Sequence, residues 1–189
     1  MKKGLLVLIN VLLVLFLVTP VLAESGTVTG NAAQGGSVSA EFTQEELAKL
    51  AGAEGTADVK YSYALVINKV ANEAVDGYTT LATYDVTFHV LGSDGSDTQV
   101  AEPGKAVNVT VTLPEAPAVE SGATREWKLV ANHNSTKVES TPTVSGTTGS
   151  FSSDKFSTFT FAYKDTKNAE PSNNNNNNGY NVVNTADAD

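Results

Sequence analysis

The stretch Tyr84-Asp85-Val86-Thr87-Phe88-His89-Val90 decides the fold of this chain, because apolar and polar residues alternate along it. Successive side chains of a β-strand point to opposite faces, so this stretch has one apolar and one polar face. The same alternation occurs in segments 59–67, 107–113 and 158–163. Shorter strands are predicted around 127–131, 137–139 and 150–152.

Turn sequences separate these segments, among them Gly92-Ser93-Asp94-Gly95 and Glu102-Pro103-Gly104-Lys105. Short strands without crossover helices predict an all-β fold, an antiparallel Ig-like β-sandwich of about 7 strands. The chain has no cysteine, so it lacks the paired cysteines of antibody domains, and we predict only an Ig-like architecture.

One short N-terminal helix is predicted before the first long strand. Thr43 with Glu46 forms a capping box, and Phe42 with Leu47 has the spacing of a hydrophobic staple. Gly52 follows the last turn, where a left-handed residue is favoured. A helix of about two turns is marginal alone, so we expect it to dock on the sandwich.

The first 23 residues predict a secretory signal peptide. Lys2 and Lys3 precede an apolar run, 5–18, and Val21-Leu22-Ala23 has the small residues of a cleavage site, so we expect cleavage after Ala23. The run is short for a bilayer span of about 20 residues, although an uncleaved anchor stays an alternative. We therefore expect an extracellular protein, secreted or associated with the cell surface, without membrane insertion after signal removal.

Composition divides the remaining chain into three parts. Residues 24–40 are rich in glycine and small polar residues and predict a flexible leader. Residues 41–165 carry the periodicity and are assigned to the sandwich. Residues 166–189 contain six consecutive asparagines, 173–178, and predict an Asn-rich linker and tail.

The charge of the chain limits its partners. The formal net charge is −9, and removal of Lys2 and Lys3 with the signal peptide makes it −11. Such an acidic chain lacks the basic surface that nucleic-acid binding requires. Without cysteine, a secreted chain has neither a disulfide framework nor a thiolate site. We expect a monomer that needs no cofactor.

Two aspartates are weak candidates for a calcium site. Asp94 and Asp97 lie in a polar loop with Ser93 and Ser96. Calcium takes six to eight oxygen ligands, and this loop offers two carboxylates, so the sequence favours a turn. No other metal site is predicted.

No catalytic residue is predicted. His89 and Asp85 share one strand face about 13 Å apart, too far for a Ser-His-Asp arrangement, and His89 is predicted to face solvent. His133 is placed in a turn, and the two histidines lack the acidic or thiol neighbours of a zinc site. Glu115 and Glu120 flank a Pro/Ala loop, which favours solvated carboxylates over a glycosidase pair.

Trp127 is the sole tryptophan, and alternation places it on one strand face with Leu129 and Ala131. A core role is favoured over stacking on a sugar.

Four blocks in order resemble a known module. Asp154-Lys155-Phe156-Ser157-Thr158-Phe159-Thr160-Phe161-Ala162-Tyr163-Lys164-Asp165 resembles the "DxFSTYAL-YKD" ending of a β-sandwich module of Gram-positive cell-surface proteins, often found just before the wall anchor. Segments 84–88, 107–115 and 124–134 resemble its "YFDISLF", "ITVTIPVPE" and "TRTYQVIRVHNG" strands. The resemblance covers about 41–165 and implies a stalk or display module, with no family catalytic residues to carry over.

The tail Val183-Asn184-Thr185-Ala186 resembles a degenerate sortase sorting signal of the Pro-x-Thr-Gly type. Val183 stands where proline is usual and Ala186 where glycine is usual. The sequence stops at Asp189 without an apolar stretch, which leaves a truncated sequence, a decayed signal and a released protein as alternatives.

These observations predict a non-enzymatic structural or display module of a Gram-positive bacterium. One alternative is an adhesin that binds cell-wall or host glycans or a host protein, and it predicts an exposed aromatic patch of Trp127 with Tyr78 or Tyr84. A secreted hydrolase is the third, and it requires a pocket with convergent titratable groups.

Overall fold

The computed structural model describes residues 26–30, 32, 35–53 and 58–168. The predicted signal peptide, the cleavage after Ala23, the asparagine run and the motif at 183–186 lie outside the described residues. The strands and the helix follow in chain order as β1 Gly26–Thr29, β2 Ser37–Ser39, α1 Gln44–Leu50, β3 Tyr61–Val70, β4 Thr79–Gly92, β5 Asp97–Val100, β6 Val107–Thr112, β7 Ala123–His133, β8 Thr136–Ser140, β9 Thr143–Ser145, β10 Thr148–Ser153 and β11 Thr158–Lys167.

Two sheets face each other. The larger has the order β1-β3-β4-β11-β7-β8, with β5 paired to β4, and the smaller has the order β2-β6-β10-β9. Every strand pair is antiparallel except β1 with β3, which is parallel. The predicted all-β sandwich is confirmed. The described residues form eleven strands rather than about seven, because four strands of three or four residues are too short to show a periodic pattern.

The first two strands arise within the predicted flexible leader. Val28 of β1 and Val38 of β2 are half-buried and pack against the core. The hydroxyl of Tyr63 holds the end of this segment, because it accepts from the Ala40 N–H at 2.9 Å and donates to the Ala40 carbonyl at 2.9 Å. For 26–29 and 37–39 the prediction of a flexible leader is wrong, since alternating valines find partners at the sheet edges despite the surrounding glycines.

The helix begins and ends as predicted. Thr43 Oγ1 accepts from the Glu46 N–H at 3.1 Å, and Glu46 Oε2 accepts from the Thr43 N–H at 2.7 Å, which completes the capping box. Phe42 and Leu47 are buried, and Gly52 has a φ of +68°. The Gln44 side chain bonds both the N–H and the carbonyl of Tyr61, so the helix is attached to the start of β3.

An aromatic cluster fills one end of the core. The Phe88 ring lies 5.5 Å from the Phe42 and Tyr63 rings and 5.7 Å from the Phe156 ring, centroid to centroid. Phe88 is fully buried. These contacts join β3, β4 and the segments that precede the helix and β11, so one side chain connects four parts of the fold.

The connection from β3 to β4 covers part of the outer face of the larger sheet. The Glu73 N–H donates to Thr83 Oγ1 at 3.0 Å, and Thr158 Oγ1 donates to Glu73 Oε1 at 3.2 Å. Beneath this connection Thr83 and Thr160 are buried, with their hydroxyl oxygens 3.0 Å apart. Buried hydroxyls need such partners, so the two threonines satisfy each other. The bonds of Glu73 hold the connection on the sheet.

Candidate functional site

A groove of about 330 Å³ opens between the β7–β8 edge of the larger sheet and the segment that joins β10 to β11. Its lining combines apolar and polar side chains from both sheets: Lys105, Ala106, Leu129, Ala131, His133, Val138, Ser140, Ser152, Ser153, Asp154, Lys155 and Phe159. Concave surfaces with an apolar base and a few polar groups are the usual places for ligands.

The strand register explains why the groove exists. β9 pairs with 148–150 of β10 and goes no further, so 151–153 of β10 have no partner on that side within the described chain. The smaller sheet is therefore one strand narrower here, and the inner face of β8 is left uncovered. Val138 on that face is 57% exposed, unusual for a valine that points towards the inside of a sandwich.

His133 lies at the end of the groove beside charged partners. Its Nε2 is 3.2 Å from Glu102 Oε1, and Lys155 Nζ lies 3.4 Å from the same oxygen. The Nδ1 of His133 is buried without a hydrogen-bond partner among the described residues. Sequence reasoning missed Glu102 as a neighbour of His133, because 31 residues separate them and only the fold brings them together.

The two calcium candidates have other partners. Asp94 Oδ1 accepts from the Ser96 N–H at 3.0 Å and from the Ser96 hydroxyl at 2.7 Å, and these bonds lower the pKa of Asp94. Asp97 Oδ1 instead contacts His89 Nδ1 at 2.7 Å. In the described ranges no three His, Cys, Asp or Glu side chains are grouped to hold a metal ion. Asp94 lies in the turn that the sequence favoured, whereas Asp97 begins β5.

His89 connects a hydroxyl and a carboxylate on the outer face of the larger sheet. Its Nε2 is 2.9 Å from Thr87 Oγ1, and its Nδ1 contacts Asp97 rather than Asp85. Its side chain is 18% exposed, so the expectation of a solvent-facing residue holds only in part. Such a relay could move a proton, but acyl transfer also needs free N–H donors for an oxyanion, and here β4 is paired with β3 and β5 on both sides. We interpret the three residues as a cross-strand ladder.

Glu115 and Glu120 are both exposed on the loop between β6 and β7. Glu120 Oε2 lies 3.9 Å from Lys167 Nζ, and both side chains of this ion pair are mostly exposed to solvent. Neither carboxylate lines the groove, so the interpretation as solvated loop residues stands.

Trp127 is half-buried and lies outside the buried core, so the predicted core role is wrong: the side chain is only partly covered. It shares the inner face with Leu129, and its ring lies 5.6 Å from the Tyr163 ring, at the level where β4 begins and beyond which only β7 and β11 stay paired. The Arg125 guanidinium lies over both rings, 4.1 Å from Tyr163 and 5.7 Å from Trp127. Arg125 thus covers the two rings at a position where a larger core would place apolar side chains.

The aromatic patch expected of an adhesin is not assembled. Tyr84 is buried, and its hydroxyl donates to the Thr112 carbonyl at 2.7 Å. Tyr78 contacts Glu126 and Lys128, which alternate with Trp127 and therefore lie on the opposite face of the sheet. These aromatic side chains cannot contact one ligand together.

The Arg125–Asp165 pair should make stability depend on acid. Two hydrogen bonds from Arg125 lower the pKa of the Asp165 carboxyl below its ordinary value. A carboxyl whose pKa is lower in the folded chain contributes stability above its unfolded pKa and loses that contribution as the pH falls through the folded value. We expect Asp165→Asn to lower the melting temperature at neutral pH and to flatten its decline below about pH 4.

Arg125→Gln is the matched variant for this experiment, because it removes the same pair from the other side. Thermal melts of the three proteins from neutral to acidic pH should show the same flattening in both variants. An acid decline as steep in Asp165→Asn as in the wild type would contradict the role given to the pair.

Comparisons with known proteins give no relative for this chain: no family model, no curated protein and no solved structure matches it. Within the described ranges, no helix is both long and apolar enough to cross a membrane.

Proposed function

We propose that the protein is a secreted or cell-surface module of a Gram-positive bacterium with a structural, display role and no enzymatic one. One observation carries the proposal. In chain order, β1 is the first strand of the larger sheet and β11 is the last, and the two run parallel, so the chain enters and leaves that sheet at opposite ends. A module of this kind lengthens a tether by its own long dimension.

The register gives the direction of both strands. β1 is parallel to β3, β3 is antiparallel to β4, and β4 is antiparallel to β11. β4 serves as the reference for both ends. Gly26 pairs with Tyr63, which pairs with Val90 near the end of β4. Tyr163 pairs with Thr79 at the start of β4, and β11 continues beyond it to Lys167. At about 3.3 Å per residue, the two ends are about 45 Å apart along the strands.

This arrangement determines how the fold responds to tension. Inter-strand hydrogen bonds lie across the strands, so a force along the strands loads the bonds of a pair together rather than one after another. β11 is held on both sides, by β4 and by β7. β1 is held by four residue pairs with β3 alone. We therefore expect the β1–β3 pair to yield first.

The sequence supports the location. The segment before Glu24 has the composition of a secretory signal, and the blocks in 84–165 resemble strands of Gram-positive surface modules. The acidic charge and the lack of cysteine suit an exported domain that depends on its apolar core.

Single-molecule pulling through the two ends of the chain tests the mechanical part. Val28→Pro removes an N–H and a half-buried side chain from β1, so the unfolding force should fall. Val144→Pro is the matched control, because Val144 is also a half-buried valine of a short edge strand but lies in β9, off the line between the ends. Equal losses of force in both variants, or none in Val28→Pro, would contradict the proposal.

The export part has its own test. Expressed in a Gram-positive host, the protein should be recovered outside the cell or on its surface with an N-terminus at Glu24, as intact mass and N-terminal sequencing would show. Retention in the cytoplasm with Met1 intact would refute this part of the proposal.

A second candidate, the adhesin, is favoured by the groove, whose uncovered Val138 and polar side chains offer a partner both apolar and hydrogen-bonding contacts. The test is a titration with cell-wall glycans and peptides, monitored by NMR. The imidazole signals of His133 should shift, and those of His89 should not. Shifts in neither histidine would argue against binding at the groove.

A further inference from the structure

We propose that β8 is a self-association edge, through which two copies of the chain pair antiparallel about a two-fold axis at Val138. The pairing would join two larger sheets into one continuous sheet. This inference is independent of the proposed function and revises the expectation of a monomer.

β8 is an unprotected edge. All five of its residues are exposed, and it pairs with β7 alone. The other edge strands of the described chain are shorter, with four residues in β1 and β5 and three in β2 and β9. Natural edges are usually blunted by proline, a bulge or an inward-pointing charge. β8 contains no proline, its pairing with β7 shows no register shift, and its inward-pointing side chain at the centre is Val138.

The hairpin turn identifies which backbone groups of β8 are free. Asn134 and Ser135 form a two-residue turn with φ of 50° and 66°, as in a type I′ hairpin. In such a hairpin the flanking pair, His133 with Thr136, is a hydrogen-bonded pair, and bonded and non-bonded pairs then alternate. The N–H and C=O groups of Val138 therefore point towards β7, whereas those of Lys137 and Glu139 point outward.

The side chains select one register for a second copy. Antiparallel strands place residues of the same face opposite each other, so the two-fold axis must pass through a residue pair. With the axis at Lys137, the two copies of Lys137 face each other, and with the axis at Glu139, the two copies of Glu139 do. Both arrangements place like charges together and are unfavourable. An axis at Val138 places Lys137 opposite Glu139 of the second copy, and Glu139 opposite Lys137.

The same register uses the free backbone groups. The two Lys137–Glu139 pairs become hydrogen-bonded pairs, which exchange four N–H···O bonds in all by ladder geometry. The two Val138 residues form the non-bonded pair, in which side chains approach most closely, and so cover the valine that is 57% exposed in one copy.

The charged side chains are available for this contact. None of the ion pairs among the described residues involves Lys137. Lys137 and Glu139 are both exposed. Glu139 accepts from Lys128 Nζ at 2.7 Å through Oε2, which leaves Oε1 to accept from Lys137 of the second copy.

Sedimentation equilibrium of the purified protein over rising concentration tests the proposal. We expect a reversible monomer–dimer equilibrium in the wild type. In a dimer of Lys137→Glu, the new glutamate of each copy faces Glu139 of the other. In a dimer of Glu139→Lys, the new lysine of each copy faces Lys137 of the other. Each variant alone should therefore dimerise at least about tenfold more weakly. An equimolar mixture of the two variants restores opposite charges at every position and should form a heterodimer.

Lys60→Glu is the matched control, since it makes the same change of charge just before β3, which β4, β11 and β7 separate from β8 in the larger sheet. It should leave the dimer intact. Circular dichroism of each variant verifies the fold. A wild type that stays monomeric at all concentrations, an equal loss in Lys60→Glu, or a mixture that fails to associate would each overturn the proposal.

Discussion

Phe88→Ala is expected to lower the free energy of unfolding by about 3–5 kcal/mol, the usual cost of removing a buried phenylalanine. Phe88 is fully buried and contacts the rings of Phe42, Tyr63 and Phe156. Its loss leaves a cavity among these three rings. A domain of this size has only about 5–15 kcal/mol of stability in total. Chemical denaturation followed by circular dichroism measures the change.

Val138→Ala is the control for this experiment. Its side chain is 57% exposed, so the same measurement at low protein concentration should change by no more than about 0.5 kcal/mol. A loss at Phe88 as small as that at Val138 would contradict the aromatic cluster described above.

Gly149→Ala is expected to cost about 1–3 kcal/mol, because any side chain there overfills the core. A Cβ at this position would lie 2.8 Å from Phe161 Cε1 and 2.9 Å from Leu113 Cδ1, where the two sheets meet. Gly149 is the point of β10 at which the smaller sheet approaches the larger one without a side chain of its own.

A double variant separates this steric effect from a general weakening of β10. Phe161→Leu shortens the side chain that the added methyl group would strike, so the cost of Gly149→Ala should be smaller in that background than in the wild type. Thr148→Ala, at an exposed neighbouring position, is the control and should show no such coupling. Strictly additive losses at 149 and 161 would contradict the proposed contact.

The long strands and the helix could be predicted from the sequence, because each carries a complete local signal. β3, β4, β6 and β11 have alternation over six or more residues, and Thr43 with Glu46 is a self-contained capping pattern. Both signals depend only on neighbours in the chain, which is why they survive without knowledge of the fold.

The short strands could not be predicted, because their stability comes from partners far away in sequence. Residues 26–29 have too few residues to show a period, and their glycine neighbours indicated flexibility. What stabilises residues 26–29 is their pairing with β3, which places Gly26 beside Tyr63 and Val28 beside Leu65, far away in sequence.

The candidate sites show the same limit. Asp85 was the acid considered for His89 because it lies on the same strand, yet the contact is with Asp97 across the hairpin. Alternation placed Trp127 on the correct face but could not show that β8 ends before this level and that β4 goes no further. The groove was not predicted, since it results from the early end of β9 relative to β10.

The sandwich carries the chain from one end of the larger sheet to the other. Spin labels on Thr27→Cys and Thr166→Cys test it most directly, because both positions are exposed and the chain has no cysteine of its own. Pulsed electron paramagnetic resonance should give a single distance of about 40 Å, from about 3.3 Å per residue along the strands and about 4.8 Å between them. A distance below about 20 Å would place both ends on the same side of the sheet and contradict this arrangement of the strands.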